Sequence, residues 1–306
     1  MRLAPIHFLY FFCCFLLLGA LPAQAQQSIT VYVTVDWEGY NLEPENIEAM
    51  QAFRTRFPHI PILQLLNPVY FVRPNANQAQ IKTSIQSTLL PADAHGLHLH
   101  GWKSLMDYCQ VPYQHQPSFA DIDEQCTQGD CGYTVSLEYA YSTAALTKLV
   151  GCSQAILVQH GFKKPVHFRA GAWQLGPKLT QALANNGITW DSSRTAAELL
   201  TSRWEPNSSL VKMLNALHPH STPLEQPFAL TAELQEFPNN ASLADYTGTG
   251  QIVDMFTQLI EQGKSVMVLG FHQETAVDFS GRLAAAIPKM EAIAKAHDVQ
   301  LIWAHY

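Results

Sequence analysis

The sequence predicts an α/β protein built on a parallel sheet. Three observations carry this. Short β-branched or apolar runs alternate with longer amphipathic stretches from residue 29 to residue 303. Two of those stretches end at Gly187 and Gly263, where a helix C-terminal glycine belongs. No internal repeat or low-complexity tract breaks the alternation. A barrel and an open sheet both satisfy this pattern.

The elements follow in order. Residues 29–35 alternate apolar and polar side chains and predict a strand. Residues 44–57 predict a helix with Ile47, Met50 and Phe53 on one face. A strand at 62–66, a helix at 78–89 and a short strand at 96–100 come next. Residues 137–162 read as a long helical stretch broken near Gly151. Strands at 166–169 and 188–191 flank a helix at 177–186. A helix at 252–262, an apolar buried strand at 266–271, a helix at 283–297 and a strand at 299–303 complete the chain. Two segments depart from the alternation, 108–133 and 203–236, and are expected to be insertions over one face. Loops of such length are usually functional or disordered.

The first 25 residues predict export. Arg2 precedes an apolar run at 6–18, and a small-x-small pattern ends at Ala25. The rival is a membrane anchor, but the run is short of the ~20 residues a bilayer needs. Cys13 and Cys14 fall inside that run. The expected division is a signal peptide at 1–25 and one catalytic domain at 26–306, periplasmic or secreted and monomeric. Cys109, Cys126, Cys131 and Cys152 then remain, an even number that predicts two disulfides with three possible pairings. A zinc cluster is the alternative, but no Cys-x2-Cys knuckle is present. The formal net charge is −7 and no basic stripe exists, which argues against nucleic acid as a partner. No later stretch is apolar enough to span a membrane.

Chemistry-bearing residues cluster at the C-terminal ends of predicted strands, where parallel α/β folds place their sites. Thr34 to Gly39 contains Asp36 and Glu38, two apart and so on one side of an extended segment. Paired carboxylates there call for a compensating cation. Gly96 to Trp102 contains His98 and His100 with the same spacing, an arrangement that suits zinc. Phe168 to Trp173 offers Arg169 to a carboxylate and Trp173 as a flat wall. Asp191 and His272 each follow an apolar strand, and a histidine there can exchange protons near neutral pH. The plain alternatives are solvated strand ends, chance histidine adjacency and core tryptophans.

Taken together and in order, these clusters resemble the polysaccharide deacetylase family, also called the NodB-homology or carbohydrate esterase family 4 group. The resemblance covers residues 29–303. It implies a deformed (β/α) barrel of about seven strands. It also implies a metal-dependent hydrolase that removes N-acetyl groups from an amino-sugar polymer or oligosaccharide. Glu38, His98 and His100 would hold a divalent metal, zinc by donor type. Asp36 would be the general base, paired with Arg169, and His272, tuned by Asp191, the general acid. Trp173, Trp37 and Trp102 would form a sugar-binding wall. Two features depart from the family pattern. The histidines are two apart rather than four, and Trp37 stands where a second aspartate belongs. Asp36 could therefore be the ligand instead of Glu38. A glycan-binding protein without chemistry, or a hydrolase of another non-peptide C–N bond, are the competing readings.

Overall fold

Nine strands organise the described residues: β1 Ser28–Asp36, β2 Ile62–Leu66, β3 Ala94–Leu99, β4 His167–Ala170, β5 Trp190–Asp191, β6 Phe228–Ala229, β7 Gln235–Glu236, β8 Val266–His272 and β9 Gln300–Trp303. This computed structural model describes residues 26–123, 126 and 130–306. The signal-peptide expectation at 1–25 lies outside the described residues.

The strands form one sheet in the order β6-β7-β5-β4-β3-β2-β1-β8, with β9 pairing to β1. Every pairing is parallel except that of β6 with β7. The long, buried strands are the apolar runs, as a sheet covered on both faces requires: all five residues of β2 are buried. Helices cover the outside. Pro44–Arg56 turns Ile47, Met50 and Phe53 into the core, and Thr249–Glu261 does the same with Ile252, Met255, Phe256 and Leu259.

One segment curls the sheet into a deformed barrel. At its start the backbone N–H of Phe237 donates to Asp191 O at 2.8 Å, on the β5 side. At its end Ala241 and Ala244 donate to Val268 O at 3.1 Å and Gly270 O at 2.7 Å, on β8. Residues 235–244 therefore bridge the two edges. The α/β class and the parallel, barrel-like sheet match the sequence expectation, with nine strands where about seven are expected. The additional ones are short or peripheral: β6 is an antiparallel pair of residues, and β9 branches from β1.

Local differences have local causes. The helical stretch expected at 137–162 breaks at Tyr141, not near Gly151. There the Ser142 side chain accepts from Ala145 N and starts a new helix, Thr143–Gln159. The segment 203–236, expected to be irregular, contains a helix at Ser209–Leu217 that buries Leu210, Val211 and Leu214 and is capped by Ser208. The cysteines pair 109 with 152 and 126 with 131, which removes the zinc-cluster alternative. Among the described residues, no helix is long and apolar enough to cross a membrane.

Candidate functional site

The register brings the strand ends to one place. Asp36 on β1 is level with His272 on β8. His98 on β3 is level with Arg169 on β4. Partners in a parallel pair project to the same face, so these four side chains share the barrel interior. Glu38, two residues beyond Asp36, continues that face.

Glu38, His98 and His100 converge, with their ligand atoms all within 4.8 Å of one another. Glu38 Oε2 lies 2.5 Å from His100 Nε2 and 3.4 Å from His98 Nε2. Both rings are oriented from behind. His98 Nδ1 is 3.1 Å from the carbonyl of Arg169, and His100 Nδ1 is 2.7 Å from the carbonyl of Tyr133. A carbonyl oxygen only accepts, so each Nδ1 carries the proton. In a neutral ring Nε2 is then an acceptor. Three buried acceptors, Glu38 Oε2, His98 Nε2 and His100 Nε2, thus face one another with no hydrogen-bond partner. A buried acceptor left without a donor costs on the order of 1–3 kcal/mol. A proton on the rings is one remedy: burial raises the Glu38 carboxyl, but charged His100, His98 and His272 together hold it well below the usual range. A divalent cation is the other, and the donor set of two imidazoles and one carboxylate fits zinc.

The pocket is built around these ligands. A Cβ on Gly171 would lie 2.7 Å from the His100 ring, so glycine there lets the ring seat against the backbone. Tyr133 stacks on the other side of His100, at 4.2 Å between centroids, and its hydroxyl hydrogen-bonds Glu38. The loop carrying Glu38 is clamped from both sides. Its carbonyl accepts from Trp102 Nε1 at 2.9 Å and Asn67 Nδ2 at 3.2 Å, and its N–H donates to Glu274 at 3.1 Å. Burial, followed by the nearby charge of Glu38, pushes the Glu274 carboxyl up to about 7, and Tyr70 hydrogen-bonds it.

His272 completes the cluster. Its Nε2 is 2.8 Å from Glu38 Oε1 and its Nδ1 is 3.0 Å from Asp245 Oδ1. Burial lowers its pKa, but Asp245 and Glu38 outweigh burial and hold it well above the usual imidazole value. A cavity of about 280 Å³ opens over Glu38 and His272, bordered by Tyr40, Tyr133, Trp204 and Tyr246. A smaller recess of about 30 Å³ beside His100 and His272 is walled by Phe119, Trp173, Trp204 and Leu210. The two irregular segments therefore supply walls of the site, through Phe119, Tyr133, Trp204 and Leu210.

Several expectations need correction. Asp191 does not tune His272: it accepts from Ser193 N and Oγ, at 2.9 and 2.7 Å, and is paired with Glu236. Asp245 takes the place assigned to it, because the bridge of residues 241–244 onto β8 carries Asp245 to the end of that strand. Trp37 is no sugar wall. It is fully buried and donates to Gln64 Oε1 at 2.8 Å, since strand alternation turns it away from Asp36 and Glu38. Trp102 is 2% exposed and supports the Glu38 carbonyl rather than offering a free face. Trp173 is buried too, but it does border the recess. Asp36 lies one strand step below Glu38, outside the cavity lining, with Oδ1 2.7 Å from Arg169 Nη1. Arg169 also donates to Thr34 Oγ1 and to the carbonyl and hydroxyl of Ser192, each at 2.8 Å.

No family model matches this sequence, and no curated protein does. Solved structures do align with it. A Mycobacterium smegmatis protein for which polysaccharide deacetylase activity has been suggested is 12% identical, with 92% of this chain and 89% of that chain covered and a TM-score of 0.49. A family 4 carbohydrate esterase from Streptomyces lividans, in complex with acetate, is 11% identical over 90% and 91%, with a TM-score of 0.42. A 4-alpha-glucanotransferase from Thermococcus litoralis scores 0.46 at 8% identity over 90% and 39%. All three scores lie below 0.5.

Proposed function

We propose that this chain is a metal-dependent hydrolase that removes N-acetyl groups from an amino-sugar glycan, a divergent member of the polysaccharide deacetylase family. The observation that carries the reading is the trio of buried, donorless acceptors on Glu38, His98 and His100 at the edge of a cavity. A divalent ion held there, zinc by donor type, supplies Lewis acidity and lowers the pKa of water toward ~7.

The chain's own residues do the rest. Asp36, ion-paired with Arg169 outside the cavity lining, does not reach the attacking water, whose proton leaves to solvent through the cavity. The acetyl methyl fits the small apolar recess beside His100 and His272. As the C–N bond breaks, His272 gives its proton to the departing nitrogen, because an amine leaves as a neutral group. Asp245 fixes the His272 ring and supports its charged form. The products are acetate and the free amino sugar. Tyr40, Tyr133, Trp204 and Tyr246 give the sugar ring apolar faces. The leader expected at residues 1–25 and the two disulfides support action outside the cytoplasm, in the periplasm or beyond.

Acetate release from chitin oligosaccharides, with zinc present, tests the reading. D245N is expected to lower kcat about 100-fold, and D191N, which touches no part of the cavity, far less in the folded protein. Equal losses in both variants would count against His272 as the proton donor. Binding of the oligosaccharide with no acetate released from any N-acetylated glycan would leave a glycan-binding protein.

A further inference from the structure

We propose that Arg203 seats an anionic substituent of the substrate, a carboxylate or a phosphate, so that the preferred ligand is an acidic N-acylated amino sugar. The inference rests on the function proposed above and narrows its substrate class.

Arg203 borders the cavity over Glu38 and His272, next to Trp204. Its guanidinium lies 5.1 Å from the centroid of Phe279 and 6.0 Å from that of Tyr246. Arg282 stacks on the same Phe279 at 4.6 Å and spends Nη1 on the carbonyl of Ala244, at 2.8 Å. Ser202 Oγ donates to Tyr246 O at 2.8 Å and ties the segment down. The Arg203 side chain makes no ion pair and no hydrogen bond with any described residue.

Arg203 is exposed at the rim of the cavity, where a ligand can reach it. Between two rings the guanidinium is held by cation–π attraction, with its planar fork of N–H donors unspent. Such a fork matches a carboxylate or phosphate in two parallel hydrogen bonds. The rest of the cavity disfavours an anion, because Glu38, Asp245 and Glu274 border it. A ligand with a neutral acetamide at one end and a negative group at the other has one orientation that suits both ends: amide toward His272, anion at Arg203.

Isothermal titration of the full chain tests this with three sugars: N-acetylglucosamine, N-acetylmuramic acid for a carboxylate, and N-acetylglucosamine 6-phosphate for a phosphate. At least one acidic sugar should bind about 10–100-fold more tightly than the neutral one, the range of a charge-assisted bidentate contact. Which acid is preferred identifies the source of the anion. R203Q should collapse the ratio of neutral to acidic dissociation constants toward one, and R203K should restore part of it. Equal affinities in the wild type, an unchanged ratio in R203Q, or no measurable binding of any sugar would overturn the proposal. Acetate release measured separately distinguishes the two readings. A preserved acidic preference without release defeats only the hydrolase, and release without preference defeats only the role of Arg203.

Discussion

Two acidic clusters sit at the strand ends of one sheet, and they meet the same electrostatic problem in different ways. The upper cluster, Glu38 with His98, His100 and His272, borders a cavity and leaves three acceptors without donors. The lower cluster, Asp36, Asp191 and Glu236 with Arg169, is buried and supplies its own donors. Arg169 serves Asp36, Ser193 serves Asp191, and the Arg194 N–H serves Glu236 at 3.0 Å. One atom there, Glu236 Oε2, lacks a partner, and a proton shared with Asp191 fills that gap. Burial and then the charge of Asp191 push the Glu236 carboxyl well above its usual range, so the pair keeps a proton to higher pH than free carboxyls do. Buried carboxylates are thus satisfied by a fixed cation, by a proton, or by a ligand. The upper cluster, bordering the cavity over Glu38 and His272, leaves room for a ligand.

The comparison can be broken at its lower member first. R169M removes the only ion-pair partner given to Asp36 among the described residues and strips donors from Thr34 and Ser192. Breaking a buried pair from one side costs about 3–5 kcal/mol, measurable by chemical denaturation. The double variant D36N/R169M should recover part of that loss. A loss below ~1 kcal/mol in R169M would mean that Asp36 is not relying on its partner.

A smaller effect sharpens the same contrast. The Asp191–Glu236 pair is raised above the values of free carboxyls, so the folded chain holds a proton that the unfolded chain releases. The stability this contributes is present below the unfolded value, 4.5 for Glu236, and declines as pH rises toward the folded value. E236Q carries its hydrogens permanently and should flatten that decline. A steeper decline in E236Q than in the wild type would reverse the assignment.

Much of the upper cluster was legible because strands advertise themselves. Period-two spacing placed Asp36 with Glu38 and His98 with His100 on common faces, and apolar runs marked β1 and β8. The same period, applied to Trp37, would have turned it into the core. Asp245 was not legible. It lies in a loop with no periodicity and reaches His272 only because residues 241–244 bond to β8. Trp204, Tyr133 and Tyr246 were missed for a related reason, since the walls of the cavity come from segments far apart in the chain. Arg169 was legible as a partner for Asp36, because both lie at the ends of apolar strands.

A calorimetric zinc titration tests the central claim most directly. The account predicts one tightly bound ion per chain, with release of protons on binding, and loss of that site in both E38Q and H98A. Saturation with no bound zinc, or undiminished binding in H98A, would contradict it.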